Sequence, residues 1–395
     1  MTVTSFEPSG LALAGPDQAR RATRGWVRAW LWSVAALVIL MVMVGGATRL
    51  TGSGLSITEW RPVSGALPPL TDADWQAEFA RYRASPQYQL LNTGMSLAAF
   101  KSIFWWEWGH RQLGRFIGFV YAAGFIVGVL TRAFPLGVGL RLGGMGLLLG
   151  FQGLIGWVMV ASGLEAGMTT VEPVDLAAHL LFASLFLATL IGMATALAQE
   201  AEASAASQAP HAEGAARLTA RWPGRLAWLL VWLVLAQLVL GALVAGSHAG
   251  LVHNTWPSMD GRLVPPLDEL FSASPWWTNL FENVTLIQLD HRLVAYLVLA
   301  LALWNALAWH QAGTDRRLSR LALQLALLVV AQLGLGIATL IQAVPLPAAL
   351  GHQLLAMFVL GAATRLAVLS RSTASLSPAG PPAADGPLAG HVATR

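Results

Sequence analysis

Four histidines have the clearest potential for chemistry in this sequence: His110, His179, His291 and His352. Each lies near one end of a long apolar stretch. Ionisable side chains are costly in such surroundings and usually serve a function there. The separations are 179 − 110 = 69 and 352 − 291 = 61 residues. This similar spacing predicts two pairs, His110 with His179 and His291 with His352.

Two imidazoles at one depth, on helices that run in the same direction, are suited to bind a haem iron from its two axial faces. The helices would supply apolar walls, and the propionates would point toward the polar rim. Arg111, Arg115 and Arg292 are candidates to bind those propionates. Arg49 is a further candidate, although it could equally be an end charge that extends toward water. The sequence therefore predicts two haem-sized sites.

Other uses of these histidines remain open. A single membrane histidine is more often a hydrogen-bonded helix contact than a ligand, whereas four at matched positions favour ligation. Zinc fits less well, because few further ligands lie within the apolar stretches. A di-iron site is suggested by Glu107-x-x-His110, but the matching motif is Gln288-x-x-His291, and such a site needs two of these motifs and two more glutamates. The remaining histidines lie outside this pattern. His211 and His391 are interpreted as solvent-facing, His310 lies at a helix C-terminus that tolerates a cation, and His248 and His253 lie in the second outer loop.

The composition indicates which elements position these histidines. Hydrophobic residues make up 55% of the 395 residues and charged residues only 11%, against about 25% in soluble domains. A helix needs about 20 apolar residues to cross a bilayer. Eight spans are predicted: Ala29–Thr48, the helix after Arg115, Leu142–Leu164, Leu176–Gln199, Leu226–Ser247, Leu293–Thr314, and two within Leu321–Thr364 divided by Pro345 and Pro347.

The loop charges predict the orientation. Arginines lie before span 1, between spans 2 and 3, 4 and 5, and 6 and 7, and after span 8, whereas the loop after span 3 is acidic. The positive-inside rule then places both termini in the cytoplasm. A bacterial inner membrane is favoured over a mitochondrial one, because Glu7 and Asp17 are atypical of a transit peptide. The dispersed arginines predict no nucleic-acid partner, and the absence of cysteine excludes disulfides and thiolate metal sites.

The chain repeats itself. "GGATRLTGSGLSITEWRPVSGALPP" from Gly45 and "GALVAGSHAGLVHNTWPSMDGRLVP" from Gly241 align without gaps. Three spans also share one glutamine–glycine spacing: Gln152 and Gly156, Gln237 and Gly241, Gln332 and Gly336. We predict an all-α integral membrane protein of two pseudo-symmetric four-helix bundles, arranged as a parallel repeat. Its predicted parts are a cytoplasmic N-terminus (1–25), a first half (26–199) with outer loop 50–103, a linker (200–224), a second half (225–370) with outer loop 248–282, and a disordered tail (371–395).

The halves differ in their outer loops. Glu59 precedes Trp60 in the first loop, and Thr255 precedes Trp256 at the matching position. A carboxylate over a haem edge could transfer protons, although a solvated loop acid is an equally good interpretation. Placed in the repeat, Glu59 makes the first half the candidate reaction chamber and the second half the candidate permanent cofactor site.

The motifs "GGATRLTGSGLSITEWRPVSGALPPL", "FWWEWGHRQLGR" and "NTWPSM" resemble the haem A synthase family of the CtaA/Cox15 type, over nearly the whole chain. The resemblance implies that the C8 methyl group of haem O is oxidised to the formyl group of haem A for terminal oxidases. It implies that His291 and His352 hold a haem b cofactor, that His110 and His179 hold haem O, and that Glu59 is an important acid. Some relatives carry an outer-loop cysteine pair that this chain lacks.

This reaction needs two successive hydroxylations, through the alcohol haem I, and then loss of water. Oxygen would come from O2 or water. An external electron donor is expected, because the chain has no dinucleotide fingerprint. Haem O synthase and cytochrome oxidase assembly factors are expected partners. The alternatives are a non-enzymatic di-haem b-type electron carrier and a parallel-repeat transporter; the carrier would hold haem b alone.

Overall fold

Eight long helices make up most of the computed structural model, which describes residues 16–206, 221–313 and 315–372. All eight are long and apolar enough to cross a membrane. In chain order, spans 1 to 8 are the helices Pro16–Leu50, Leu97–Leu130, Leu136–Gly163, Pro173–Ala206, Arg221–Gly246, Val284–Ala312, Arg316–Ile341 and Leu346–Ser372. The prediction of an all-α membrane protein with eight spans is therefore confirmed.

The predicted division of the last apolar run is also confirmed. Span 7 ends at Ile341 and span 8 begins at Leu346. The turn between them contains Ala343 and Val344 with φ of 56° and 58°. Pro345 lies in this turn and has no backbone N–H to continue a helix, whereas Pro347 is the second residue of span 8.

Span 2 begins earlier than its hydropathy predicts, at Leu97 rather than after Arg115. The extension carries a buried aromatic face, including Phe100 and Phe104. This face packs on a loop helix, Asp72–Arg83, through Trp75, whose ring centroid lies 4.9 Å from that of Phe104. Aromatic packing outside the apolar stretch therefore keeps the first turns of span 2 helical, and hydropathy alone does not detect this.

Both outer loops contain short helices. The first loop has the helices Asp72–Arg83 and Pro86–Leu91, and the second has Leu267–Leu270 and Asn279–Glu282. Thr71 and Asp74 form a capping box at the start of the longest one, which satisfies backbone N–H groups that the helix itself cannot pair. The first loop is thus an ordered cover that is fixed to span 2.

The eight helices contact one another in two closed sets. Spans 1 and 2, 2 and 3, 3 and 4, and 4 and 1 are in contact, as are spans 5 and 6, 6 and 7, 7 and 8, and 8 and 5. The two sets meet where span 1 contacts span 8, span 4 contacts span 5, and span 4 contacts span 8. The arrangement of these sets as two repeated bundles stays a prediction.

One of the polar contacts between the two sets lies next to a histidine. The Gln353 amide donates a hydrogen bond to the carbonyl oxygen of Val42 at 2.9 Å. The same amide occupies the space where a Cβ at Gly46 would lie. Gln353 directly follows His352, so the second histidine pair is connected to span 1 of the first half.

The predicted boundaries of the termini and linker shift where helices continue. Span 1 begins at Pro16, within the predicted N-terminal segment, and both ends of the predicted linker are helical, up to Ala206 and from Arg221. Glu202 in this extension pairs with Arg317 at 2.8 Å. Residues 1–15, 207–220 and 373–395, with His211 and His391, lie outside the described residues, and the orientation of the termini stays a prediction.

Candidate functional site

The four predicted histidines are partly buried and lie in spans 2, 4, 6 and 8. His110 and His179 are close enough for their charges to interact. His291 and His352 are related in the same way. These interactions favour the two pairs that the sequence separations predict, and the use of each pair as iron ligands stays a prediction. His310, in contrast, is exposed at the opposite end of span 6.

Each histidine ring packs against a glycine of the preceding span. A Cβ built on Gly45 would lie 3.0 Å from His110 Nε2, and one on Gly241 would lie 3.1 Å from His291 Cε1. A Cβ on Gly156 or Gly336 would lie 2.8 Å from Cε1 of His179 or His352. Any larger residue would displace the ring, so the glycines are needed for the imidazoles to occupy these positions.

Three of the histidines also contact a glutamine one turn before that glycine. The glutamine Nε2 donates to the backbone oxygen of its histidine, at 2.9 Å for Gln152, 2.9 Å for Gln237 and 3.0 Å for Gln332. The same Nε2 atoms lie 3.1, 3.0 and 3.1 Å from the histidine Nδ1. All three glutamine Oε1 atoms are buried without a hydrogen-bond partner. We call this arrangement the glutamine contact; the repeated spacing was visible in the sequence, but its role was not.

These features fit a bis-histidine haem site. Paired imidazoles supply two axial nitrogens, the glycines leave room for the rings, and the unpartnered amide oxygens are acceptors of the kind that an Nδ1–H of a ligating histidine requires. In the part of the chain that the structure describes, no group of three or more His, Cys, Asp or Glu side chains could hold a metal ion. The zinc and di-iron interpretations therefore find no support.

Glu107 and Arg111 hold the first outer loop above His110. The Glu107 carboxylate is 2% exposed and pairs with Arg111 at 2.6 Å. Its other oxygen accepts hydrogen bonds from the Ser56 hydroxyl at 2.7 Å and the Ile57 N–H at 2.8 Å. Arg111 donates to the carbonyl oxygens of Ile57 at 2.8 Å and Glu59 at 3.2 Å. One buried ion pair thus fixes the loop to the helix turn that carries His110.

The second half repeats this contact with a neutral partner. Arg292 donates to the carbonyl oxygen of His253 at 3.0 Å and to Gln288 Oε1 at 3.1 Å. Gln288 in turn donates to the carbonyl oxygen of Ala249 at 2.7 Å. In the ungapped register, Ile57 corresponds to position 57 + 196 = 253. The two arginines therefore bind the same loop carbonyl, and the halves differ in having a glutamate or a glutamine beside it.

The candidate propionate partners have different surroundings. Arg111 and Arg292 donate to loop carbonyls, and Arg115 donates to the carbonyl oxygens of Pro62 and Arg61, both at 3.0 Å. Arg49 makes no hydrogen bond or ion pair within residues 16–206, 221–313 and 315–372. Burial and the nearby Arg49 lower the pKa of the His248 side chain. Arg49 is thus the candidate whose guanidinium is left for a ligand, while the other three also position loops.

Glu59 lies at the outer rim. Its side chain is 46% exposed and pairs with Arg61 and, at 3.8 Å, with Arg81. No contact joins its carboxylate to any of the four histidines in the described structure. The buried acid of this half is Glu107, which the sequence analysis weighed only as part of a di-iron motif. An acid one helical turn before an arginine, at Glu107 and Arg111, was the signal for an ion pair.

Alanine at Gly336 is expected to weaken haem retention, because its Cβ would lie 2.8 Å from the His352 ring. Overpacking of this kind costs about 1–3 kcal/mol, which corresponds to roughly a tenfold loss. The control is Gly334→Ala on the same helix, where nothing lies within 4 Å of the new Cβ. Haem bound per purified protein is the measurement, and equal retention in the two variants would contradict the expected contact.

Comparison with known proteins adds a finding that is independent of this geometry. The COX15-CtaA family model, described as cytochrome oxidase assembly protein, matches residues 28–364. A "Heme A synthase" of Methylobacterium radiotolerans is 55% identical over 92% of this chain and 94% of its own length. A second, from another Methylobacterium species, is 52% identical over 94% of this chain and 100% of its own. A third, from Azorhizobium caulinodans, is 50% identical over 89% and 96%.

Proposed function

Because the chain belongs to the COX15-CtaA family of haem A synthases, we propose that it converts the C8 methyl group of haem O into the formyl group of haem A. It is a multi-pass membrane enzyme that acts on haem O. The proposed route is two successive hydroxylations, through the alcohol haem I. The proposed location is a bacterial inner membrane with both termini in the cytoplasm, consistent with the alternating loop arginines.

The two histidine pairs are proposed to have different occupants. His291 and His352 would hold haem b as a resident cofactor, and His110 and His179 would hold the substrate, haem O. The glycine at each ring and the unpartnered glutamine oxygens support ligation in both halves. When bound, haem b supplies one-electron redox chemistry. The protein's own part is to orient the imidazoles, cover the site with the first loop and leave Arg49 available for a propionate.

The reaction has a simple balance of atoms and electrons. Each hydroxylation replaces one C–H bond with a C–O bond. If O2 is the source, an external donor supplies two electrons, and the second oxygen atom leaves as water. If water is the source, the substrate instead gives up two electrons to an acceptor. The second hydroxylation leaves two hydroxyl groups on one carbon, and loss of water yields the formyl group. Haem O synthase and oxidase assembly factors are the proposed neighbours in this sequence of steps.

Glu59 is proposed to transfer protons during the oxidation of haem O, in its first or its second step. It precedes Trp60 in the loop that Arg111 holds over His110, and its own carbonyl oxygen accepts from Arg111 at 3.2 Å. Proton transfer by a positioned carboxylate contributes about 100- to 10,000-fold in rate. Glu59→Gln is therefore expected to lower haem A output, measured by chromatography of extracted porphyrins. Accumulation of haem I would assign the carboxylate to the second oxidation.

The matched control is Glu78→Gln, which changes another acid in the same group of ion pairs with Arg61 and Arg81. Glu78→Gln is expected to leave the ratio of haem I to haem A unchanged. Haem A output at the unaltered level in Glu59→Gln would show that this carboxylate has no part in the chemistry.

The membership in this family carries the proposal, and one experiment tests it directly. The protein is expressed beside a haem O producer in cells that make no haem A, and porphyrins are extracted from the purified protein. Haem b together with haem I or haem A is expected. Haem b alone would indicate an electron carrier, and an absence of pigment would indicate transport; either result would overturn the proposal.

A further inference from the structure

We propose that Gln152, Gln237 and Gln332 position three of the four histidines for iron, and that His110 is the exchangeable ligand because Met41 replaces the fourth glutamine. This inference rests on the proposed binding of haem by the histidine pairs. It goes further by ranking the four ligands. The basis is the glutamine contact, which is present in spans 3, 5 and 7 and lacks a counterpart in span 1.

The missing contact is at a matched position of the repeat. Gln237 and Gly241 correspond in the ungapped register to 237 − 196 = 41 and 241 − 196 = 45, which are Met41 and Gly45. Gly45 still leaves room for its histidine, as Gly241 does. Met41 instead places its methyl group 3.3 Å from the position of a Cβ at Gly114, one helical turn beyond His110. The first half therefore has a glycine, Gly45, at the matched position, but it has Met41 where the other spans have a glutamine.

A glutamine amide supplies what a ligating histidine needs. When Nε2 binds iron, Nδ1 must carry the proton, and its N–H needs an acceptor that fixes the tautomer and the ring orientation. Each glutamine already lies against Nδ1 and holds a buried, unpartnered oxygen on the same amide. Half a turn of the amide exchanges nitrogen and oxygen, so that Nδ1–H can donate to Oε1, and the amide then gives up its hydrogen bond to the histidine backbone oxygen. An unsatisfied buried carbonyl costs about 1–3 kcal/mol, and the new hydrogen bond to Oε1 offsets the loss of the bond to the backbone oxygen.

Methionine cannot fill this role at His110. Its thioether sulfur is a weak acceptor and it has no donor, so neither the tautomer nor the backbone oxygen of His110 is fixed by span 1. Loss of such an outer partner typically lowers affinity about 10- to 100-fold. The difference suits the two proposed occupants. A resident cofactor is held by two supported histidines, whereas a substrate that must enter and leave as product has one supported ligand, His179, and one weaker ligand, His110.

The first test removes the contact in the second half. Gln237→Met and Gln332→Met are expected to speed haem loss from the His291–His352 site about tenfold or more, measured as transfer to apomyoglobin. Gln332→Glu retains an acceptor, so it is expected to keep the haem and to shift its reduction potential to more negative values, because a stronger acceptor makes the imidazole a better donor. A purely packing role would not produce that shift. The control is Gln199→Met, whose amide donates to the carbonyl oxygen of Leu369, not to a histidine.

The second test adds the contact to the first half. Met41→Gln is expected to slow haem loss from the His110–His179 site about tenfold or more and to reduce binding of carbon monoxide to the reduced haem there. An unchanged rate of loss and unchanged carbon monoxide binding in a folded Met41→Gln protein would overturn the inference. So would haem loss from Gln237→Met and Gln332→Met at the rate of Gln199→Met.

These measurements are separate from turnover. Haem loss, reduction potential and carbon monoxide binding are read on purified protein loaded with any b-type haem. A protein that shows the expected ranking but makes no haem A would contradict the proposed function and leave the ranking of ligands intact. A protein that makes haem A but holds haem equally well at all four histidines would support the proposed function and contradict the ranking of ligands.

Discussion

His291→Ala is expected to lose the haem of the second half and to abolish haem A formation. Removing an axial ligand is more severe than removing an outer partner, which costs about 10- to 100-fold in affinity, so retention should fall at least about 100-fold. His352→Ala should behave alike, and the double variant should be no worse than either, because the two residues act as one site. The ratio of haem to protein after purification is the measurement.

The same helix supplies the control. His310 lies in span 6 with His291, but it is exposed at the opposite end, and His310→Ala should retain haem fully. His110→Ala should spare the second-half haem while abolishing turnover. Full haem content in His291→Ala and His352→Ala would remove the basis for placing a cofactor in this half.

Arg111→Met is expected to be the most destabilising change in the outer region. It leaves the Glu107 carboxylate, which is 2% exposed, without its charged partner, and breaking such a buried pair costs about 3–5 kcal/mol. The loop that contains Ile57 and Glu59 would lose its anchor at the same time. Thermal unfolding in detergent and proteolysis of the first outer loop are the measurements, and haem A output should fall with them.

The repeat offers a matched comparison. Arg292→Met removes the corresponding guanidinium beside the neutral Gln288, where loss of a hydrogen-bonded partner costs about 1–3 kcal/mol. It should therefore lower the unfolding temperature less than Arg111→Met. Adding Glu107→Gln to Arg111→Met removes the unpaired charge and should recover part of the loss. Equal effects of the two single variants, or no recovery in the double variant, would be evidence against the buried charge as the cause.

Hydropathy was sufficient to predict the eight spans, because lipid-facing helices differ so strongly from soluble ones in composition. It was insufficient where structure depends on packing outside the apolar stretches. The early start of span 2 at Leu97 depends on Phe104 and Trp75, which meet only after the loop helix has formed. The helical ends of the predicted linker were missed for a similar reason, since polar residues such as Glu202 can continue a helix beyond an apolar stretch.

The histidine pairs could be proposed from the sequence because the internal repeat supplied a second copy against which each position could be compared. The glutamines that contact those histidines could not be identified from the sequence. The spacing of Gln237 and Gly241 was visible, but that an amide contacts an imidazole on the next helix depends on the relative rotation of two helices. The arginines were interpreted from charge alone, so the loop carbonyls that bind Arg115 and Arg292 were not foreseen.

The contacts between the two sets of helices bear on the relation between the halves. Exchanging the halves converts the contact of spans 1 and 8 into that of spans 5 and 4, and it leaves the contact of spans 4 and 8 unchanged. This is the pattern of contacts that a two-fold dimer of identical subunits has. The contact of Gln353 with Gly46 has a counterpart in the other pair of spans. His352 follows His179 by 352 − 179 = 173 residues, so Gln353 corresponds to Leu180, and Gly46 corresponds to 46 + 196 = 242, which is Ala242. Leu180 packs with the apolar cluster that contains Ala242. A substitution in a dimer of identical subunits appears in both subunits. A single chain that contains both halves can carry a substitution in one half and keep the other half unchanged, as at Met41 and Gln288.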